Sequence, residues 1–151
     1  MAISRGSGTE IIRTINLIEA DSTSRALIIG VQHHIYTVLS VIFYASSLGS
    51  AGDWISMLVR GWDSLAGATQ GDTYIMQQAM QAQQTFVWDN KFSFNGYEPL
   101  ASSMSGATTT AAEQDAIADQ ASAVSQELRV DTQSASDNIQ IVCTYIDQNN
   151  A

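Results

Sequence analysis

Fifteen consecutive residues, His33 to Ser47 (HHIYTVLSVIFYASS), constrain this chain more than any other stretch. The run holds no Gly or Pro and is dense in β-branched and aromatic side chains. Such side chains lose χ1 freedom in a helix and pack well on a pleated surface, so the run predicts a long strand at the centre of a sheet. Alternation places Ile35, Thr37, Leu39, Val41 and Phe43 on one face. It places Tyr36, Val38, Ser40, Ile42 and Tyr44 on the other. Both faces are largely apolar. Both are therefore expected to be covered, one by an opposite sheet and one by a neighbouring element or subunit. The Gly/Ser-rich SSLGSAGD reads as a turn, and Trp54 to Trp62 (WISMLVRGW) as the returning strand of a β-hairpin.

The rest of the chain repeats this grammar of short strands and turns. Residues 1–8 (MAISRGSG) read as a flexible arm. Strands are predicted at Thr9 to Ala20 and Arg25 to Val31, separated by the turn signal Asp21-Ser22-Thr23-Ser24. Ser64 to Gly71 reads as a loop, and Thr73 to Gln77 is favoured as a strand over a helix. Thr85 to Phe94 is extended, with a turn or bulge at Asp89-Asn90, and Asn95-Gly96 is a second turn signal. Thr110 and Glu113 have the spacing of a capping box, and Ile117, Ala121, Val124 and Leu128 follow as a narrow apolar stripe. These predict one inserted helix from Ala111 to Gln126. Leu128 to Asp131 is a possible strand start, and Asn138 to Asp147 (NIQIVCTYID) is the last strand. The predicted fold is mainly β: an antiparallel, jelly-roll-like β-sandwich in one domain over residues 9–147, with a polar tail at 148–151.

Composition excludes several classes of partner. The 151 residues carry one Lys, five Arg and a net charge of −9. Phosphate contacts need clustered Lys and Arg, so direct nucleic-acid binding is not expected. No apolar run reaches the ~18–20 residues of a membrane span. The N-terminus has no apolar core of a secretion signal, so synthesis in a cytosol is expected. Only 14% of the residues are charged, against a usual ~25%. Gln, Ser, Thr and Asn take the place of charge. A neutral polar surface suits a part that packs into a large assembly, where every charge removed from water needs a partner. It equally suits an ordinary acidic protein.

No residues form a recognisable catalytic motif. His33 and His34 are adjacent, so on a regular strand they point to opposite faces and cannot chelate one metal. Asp53, Asp63, Asp72 and Asp89 lie beside turns without the spacing of a Ca²⁺ loop, and read as solvated turn residues. Cys143, the single cysteine, lies in an alternating strand and reads as a buried thiol. No cofactor or metal is expected. The aromatic side chains could make a sugar-stacking platform, but they sit in apolar strands, which favours core or subunit-interface packing. The residues assigned to a subunit interface are Tyr36, Tyr44, Trp54, Trp62 and Trp88.

In segment order the chain resembles the small β-sandwich virion proteins of tailed bacteriophages. The residues that carry the comparison are Tyr36-Thr37-Val38, Thr85-Phe86-Val87-Trp88-Asp89, Gly96-Tyr97-Glu98 and Tyr145-Ile146-Asp147. The resemblance implies a non-enzymatic structural part of a particle assembled in the host cytoplasm. A capsid decoration or cement protein is the first expectation, and a tail or fibre-attachment component the second. It implies a major capsid protein or another virion protein as partner, and self-association, with a trimer as the arrangement expected by analogy. A carbohydrate-binding module and an enzyme with a diffuse carboxylate site are the remaining alternatives.

Overall fold

The chain forms eleven strands: β1 (Glu10–Ala20), β2 (Arg25–Ile29), β3 (His34–Ser47), β4 (Trp54–Asp63), β5 (Thr69–Ala79), β6 (Thr85–Trp88), β7 (Phe92–Asn95), β8 (Tyr97–Pro99), β9 (Ala123–Ser125), β10 (Glu127–Thr132) and β11 (Asn138–Asn149). The structure, a computed structural model, describes residues 8–20, 24–63, 69–99, 111 and 123–150. One antiparallel sheet has the order β1-β11-β3, with β6 and β7 both pairing the far side of β3. The second has the order β2-β10-β4-β5, and β8 and β9 form a separate pair. With β6 and β7 taken as one interrupted strand, the chain crosses between the two sheets at nearly every connection. That winding is jelly-roll-like, as the alternation and turn spacing predict.

The strand at the centre of the sequence is also central in space: β3 lies between β11 and the β6/β7 pair. It does not form a hairpin with β4, however. β4 lies in the opposite sheet, between β10 and β5. The SSLGSAGD segment is thus a corner that bridges two layers ~10 Å apart. Two buried aspartates hold it. Asp53 accepts the Ser50 N–H at 2.8 Å, and Asp137 accepts the N–H groups of Gly49 (2.9 Å) and Ser134 (3.0 Å). Asp53 is 5% exposed, so it is a buried turn cap and not the solvated residue expected.

The predicted faces of β3 hold for only half its length. Tyr36 and Val38 point into the core, and then so do Val41, Phe43 and Ala45. The parity change is a β-bulge. Thr144 pairs with Ser40 and Tyr145 with Val38, which leaves Leu39 as an extra residue on β3. β11 keeps strict alternation through the same region, burying Ile139, Ile141, Cys143 and Tyr145. The neighbour on the other side breaks at the same level. β6 pairs Val41–Tyr44 and β7 pairs Ile35–Val38, with Asp89-Asn90-Lys91 between them.

The core fills the space between the sheets. Sheet one contributes Val38, Val41, Phe43, Ile139, Ile141 and Phe94; sheet two contributes Leu27, Ile28, Ile55, Met57, Leu128 and Val130. At one end three strand pairs meet. Gly30 N donates to Gln126 O (2.8 Å), Gln126 N to Gly96 O (2.9 Å) and Gly96 N to His34 O (2.7 Å). The two backbones approach so closely that a Cβ on Gly30 would lie 1.9 Å from Gly96 O, and one on Gly96 2.1 Å from Val31 O.

This junction corrects the predicted helix. Ala123–Ser125, its C-terminal part, is strand β9, paired to Tyr97–Pro99. Leu128, on the predicted apolar stripe, belongs to β10. Strand pairing outweighs a helical propensity that is only a few tenths of a kcal/mol per residue. Residues 112–122 of the predicted helix, and residues 1–7 of the arm, lie outside the described residues. Boundaries also differ from expectation: β2 ends at Ile29 and not Val31, and β5 runs on to Ala79 and not Gln77. Residues 69–71 belong to β5 and not to a loop, and Gln148 and Asn149 extend β11 and not a tail.

Candidate assembly surfaces

The two outer faces of the sandwich differ in charge. On the second sheet, β4 and β10 pair without a register shift, so Trp54, Ser56, Leu58, Arg60 and Trp62 share the face away from the core with Glu127, Arg129 and Asp131, with Ser56 and Leu58 fully buried there. Arg60 binds both carboxylate oxygens of Asp72 across the strands, at 2.8 and 3.0 Å. That hydrogen bonding holds the Asp72 carboxyl below its usual range and raises the Arg60 guanidinium. Arg129 pairs with Glu127 and donates to Ser24 Oγ and O, both at 2.8 Å.

The outer face of the first sheet carries almost no charge. The pairing registers align Ile12, Ile146, Thr37 and Ser93 in one row across four strands. Asn16, Val142, Ile42 and Val87 form another row, and Thr14, Thr144 and Ser40 lie between. Hydroxyl pairs run across the strands at Thr37–Ser93 (2.8 Å) and Thr14–Thr144 (3.4 Å). Ile12 is 71% exposed and Val87 52%. Among the described residues of this face, Glu10 at the corner is the one charged side chain.

The five aromatic residues assigned to an interface do not share a surface. Tyr36 is 3% exposed, between the sheets, with its ring 5.4 Å from Phe94 and 5.9 Å from Tyr145. Its hydroxyl accepts the Val31 N–H at 3.1 Å. Burial, and secondarily the Asp147 charge, pushes its pKa up to about 12. The bulge is what turns Tyr36 inward. Trp88 packs at the edge of the core, its Nε1 donating to Asn90 O (2.9 Å). Tyr44 lies half-buried on the neutral face, opposite Gln140 and Thr85. Trp54 and Trp62 lie on the charged face, eight residues apart on one strand, or roughly 26 Å. Trp62 Nε1 donates to Ser125 O (3.0 Å). The spacing separates the two rings too far to stack on one sugar.

A polar cluster that sequence reading missed ties three strands together. Asp147, 2% exposed on β11, meets His34 Nδ1 of β3 at 2.6 Å and Arg13 Nη1 of β1 at 3.3 Å. The residues are up to 134 positions apart, so no local pattern announces them. His33 adopts φ = 63°, so the two histidines do not follow regular strand geometry. Cys143 is fully buried, and burial pushes its thiol up to about 12. Among the described residues, no group of three or more His, Cys, Asp or Glu side chains converges as a metal site.

Hollows open on the surface among the described residues, and two of them bear on the site. The larger, about 960 Å³, lies at the corner end against Leu48, Ser50, Gln78, Met80 and Gln84, and no titratable side chain lines it. The smaller, about 400 Å³, lies beside Trp62 and includes Asp63 and Asp72. Arg60 already occupies the Asp72 carboxylate there.

No family model and no curated protein matches this chain. Among solved structures, it is similar to a chain from "Bacillus endospore appendages form a novel family of disulfide-linked pili" at 8% identity and a TM-score of 0.43, covering 100% of this chain and 97% of that one. It is also similar to a chain from a crystal structure of the T13 infectious bursal disease virus particle, at 8% identity and a TM-score of 0.41. A chain of the same virus, Gx strain, matches at 9% identity and a TM-score of 0.39. This chain spans 38% and 32% of the length of those two viral chains.

Proposed function

We propose that this chain is a non-enzymatic structural component of a virus particle, a capsid decoration or cement protein of a tailed bacteriophage. The observation that carries the reading is the neutral outer face of the β1-β11-β3 sheet. The chain has a net charge of −9, yet this face presents Thr, Ser, Asn, Gln, Ile and Val and keeps Glu10 at its corner. Such a face can be covered by a shell protein without removing a charge from water. The jelly-roll-like winding is a framework that capsid domains use, which supports the reading as fold-level analogy.

The mechanism is passive. Each copy covers neighbouring shell subunits, and many modest contacts add through multivalency. Quantitative mass spectrometry of purified particles tests this against the most abundant shell protein. A comparable copy number supports decoration. A few copies per particle moves the chain to the tail or fibre attachment, and absence from particles removes the virion reading.

A further inference from the structure

Each sheet of a sandwich has two edges, and an edge strand offers unpaired N–H and C=O groups to any strand that approaches. Two of the four edges here are blunted, and a third begins with a polar, charge-paired segment. β2 is five residues long. The β6/β7 edge is broken by Asp89-Asn90-Lys91 into two strands of four residues. β5 begins with exposed Thr69, Gln70, Gly71 and Asp72, and Asp72 is held by Arg60. β1 differs. Like β5 it runs eleven residues with no Lys or Pro, it carries Glu10, Arg13 and Glu19, and its one interruption is a bulge after Leu17. Ile12 and Ile18 on it are 71% and 65% exposed.

The direction of its free backbone groups follows from the ladder. Asn149 N donates to Thr9 O at 3.0 Å, so the odd-numbered residues of β1 face β11. In an antiparallel ladder the alternate residues then point away. Ile12, Thr14 and Asn16 therefore present the free N–H and C=O groups, and Ile18 follows within the bulge. These four also read alike in both directions: apolar, polar, polar, apolar. The neighbouring outer face is the neutral one, so two chains of charge −9 can meet here without opposing like charges.

We propose that β1 is a self-pairing edge: two copies join β1 to β1 antiparallel about a two-fold axis at Ile15. Ile12 lies opposite Ile18 of the second copy, and Thr14 opposite Asn16. The two Thr14–Asn16 pairs exchange about four backbone hydrogen bonds, Ile12 packs beside Ile18 at each end, and the two five-stranded sheets become one continuous sheet. The pair takes the place of the threefold arrangement expected from the resemblance.

The inference deepens the structural reading and rests on it only in expecting self-association. The test uses purified full-length chain, so it can fail while the particle copy number stands, or the reverse. Sedimentation velocity over a concentration series is expected to show a monomer–dimer equilibrium. Ile12→Lys places two charges in the seam and is expected to weaken dimerisation at least roughly tenfold, with an unchanged monomer melting profile. Opposed residues exchanging both hydrogen bonds have Cα atoms ~5.5 Å apart, within disulfide range. Under mild oxidation, Thr14→Cys mixed with Asn16→Cys is therefore expected to cross-link more than either variant alone. The parent chain, whose Cys143 is buried, gives none. If Ile12→Lys fails to fold, the cross-link decides. A chain monomeric at every concentration, a dimer unaffected by Ile12→Lys, or a mixture that cross-links no better than its components overturns the proposal.

Discussion

Gly96→Ala probes the point where the strand pairs converge. The added Cβ would lie 2.1 Å from Val31 O, 2.8 Å from Val31 N and 3.0 Å from Val31 C. All three are backbone atoms, so no rotamer change relieves the contact, and one segment must move by about 1 Å. Overpacking of this kind costs ~1–3 kcal/mol. The movement also strains two hydrogen bonds of the same glycine, Gly96 N to His34 O and Gln126 N to Gly96 O, each worth ~0.5–1.5 kcal/mol net. Together the loss is about 2–6 kcal/mol, a large share of the ~5–15 kcal/mol that holds a typical domain folded. Urea unfolding followed by tryptophan fluorescence reads it directly. The midpoint is expected to fall by roughly 2 M with little change in slope. Gly71→Ala is the internal control: it lies in a strand, and its added Cβ meets nothing within 4 Å. That variant is expected to be neutral or to gain up to ~0.5–1 kcal/mol, because Ala restricts the unfolded chain. A Gly96→Ala loss below about 1 kcal/mol, or equal losses in both variants, refutes the close-approach argument.

Phe43→Ala empties a fully buried site and is expected to cost ~3–5 kcal/mol by the same unfolding assay. Asp137→Ala removes the acceptor of two turn N–H groups and is expected to cost about 2–4 kcal/mol, with Asp137→Asn recovering part of it. Stability is expected to fall as pH rises from about 9 to 12. Cys143 and Tyr36 hold their protons up to about 12 in the fold, above their unfolded values of 9.0 and 10.0. The unfolded chain therefore binds fewer protons in that window, and folding weakens as pH rises. Thermal melts at pH 7, 9 and 11 measure it; a flat profile would contradict the burial of both groups. Cys143 is expected to react with a thiol reagent only at the rate of unfolding, so fast labelling of native protein would place it outside the core.

The positions of most strands were legible from local pattern. β3, β4, β6, β7 and β11 fall where β-branched runs and turn signals place them, because alternation and turn chemistry are local properties. The shared parity of Trp54, Leu58, Arg60 and Trp62 on β4 was likewise readable, although Leu58 is fully buried. β3 shows the limit. A one-residue bulge at Leu39 reverses the faces of everything before it, and nothing in VLSV marks which residue is extra. Tyr36 therefore reads as surface from one end of the strand and as core from the other. The Asp147–His34–Arg13 cluster joins residues from three strands, and no spacing could reveal it.

By itself, the sequence determined the class of fold and the character of the surface. Its β-branched density and turn signals allow little besides a sandwich, and its few charges limit what the surface can bind. Tertiary structure decided which strands are neighbours. The corner at Ser46–Asp53 sends β4 to the opposite sheet because Asp53 from within the segment and Asp137 from a distant turn satisfy its backbone. Pairing with β8 made a strand of residues 123–125. Only the assembled sheet separates a neutral outer face from a charged one. Which side chains share a face depends on register across strands far apart in the chain, and register is a property of the fold.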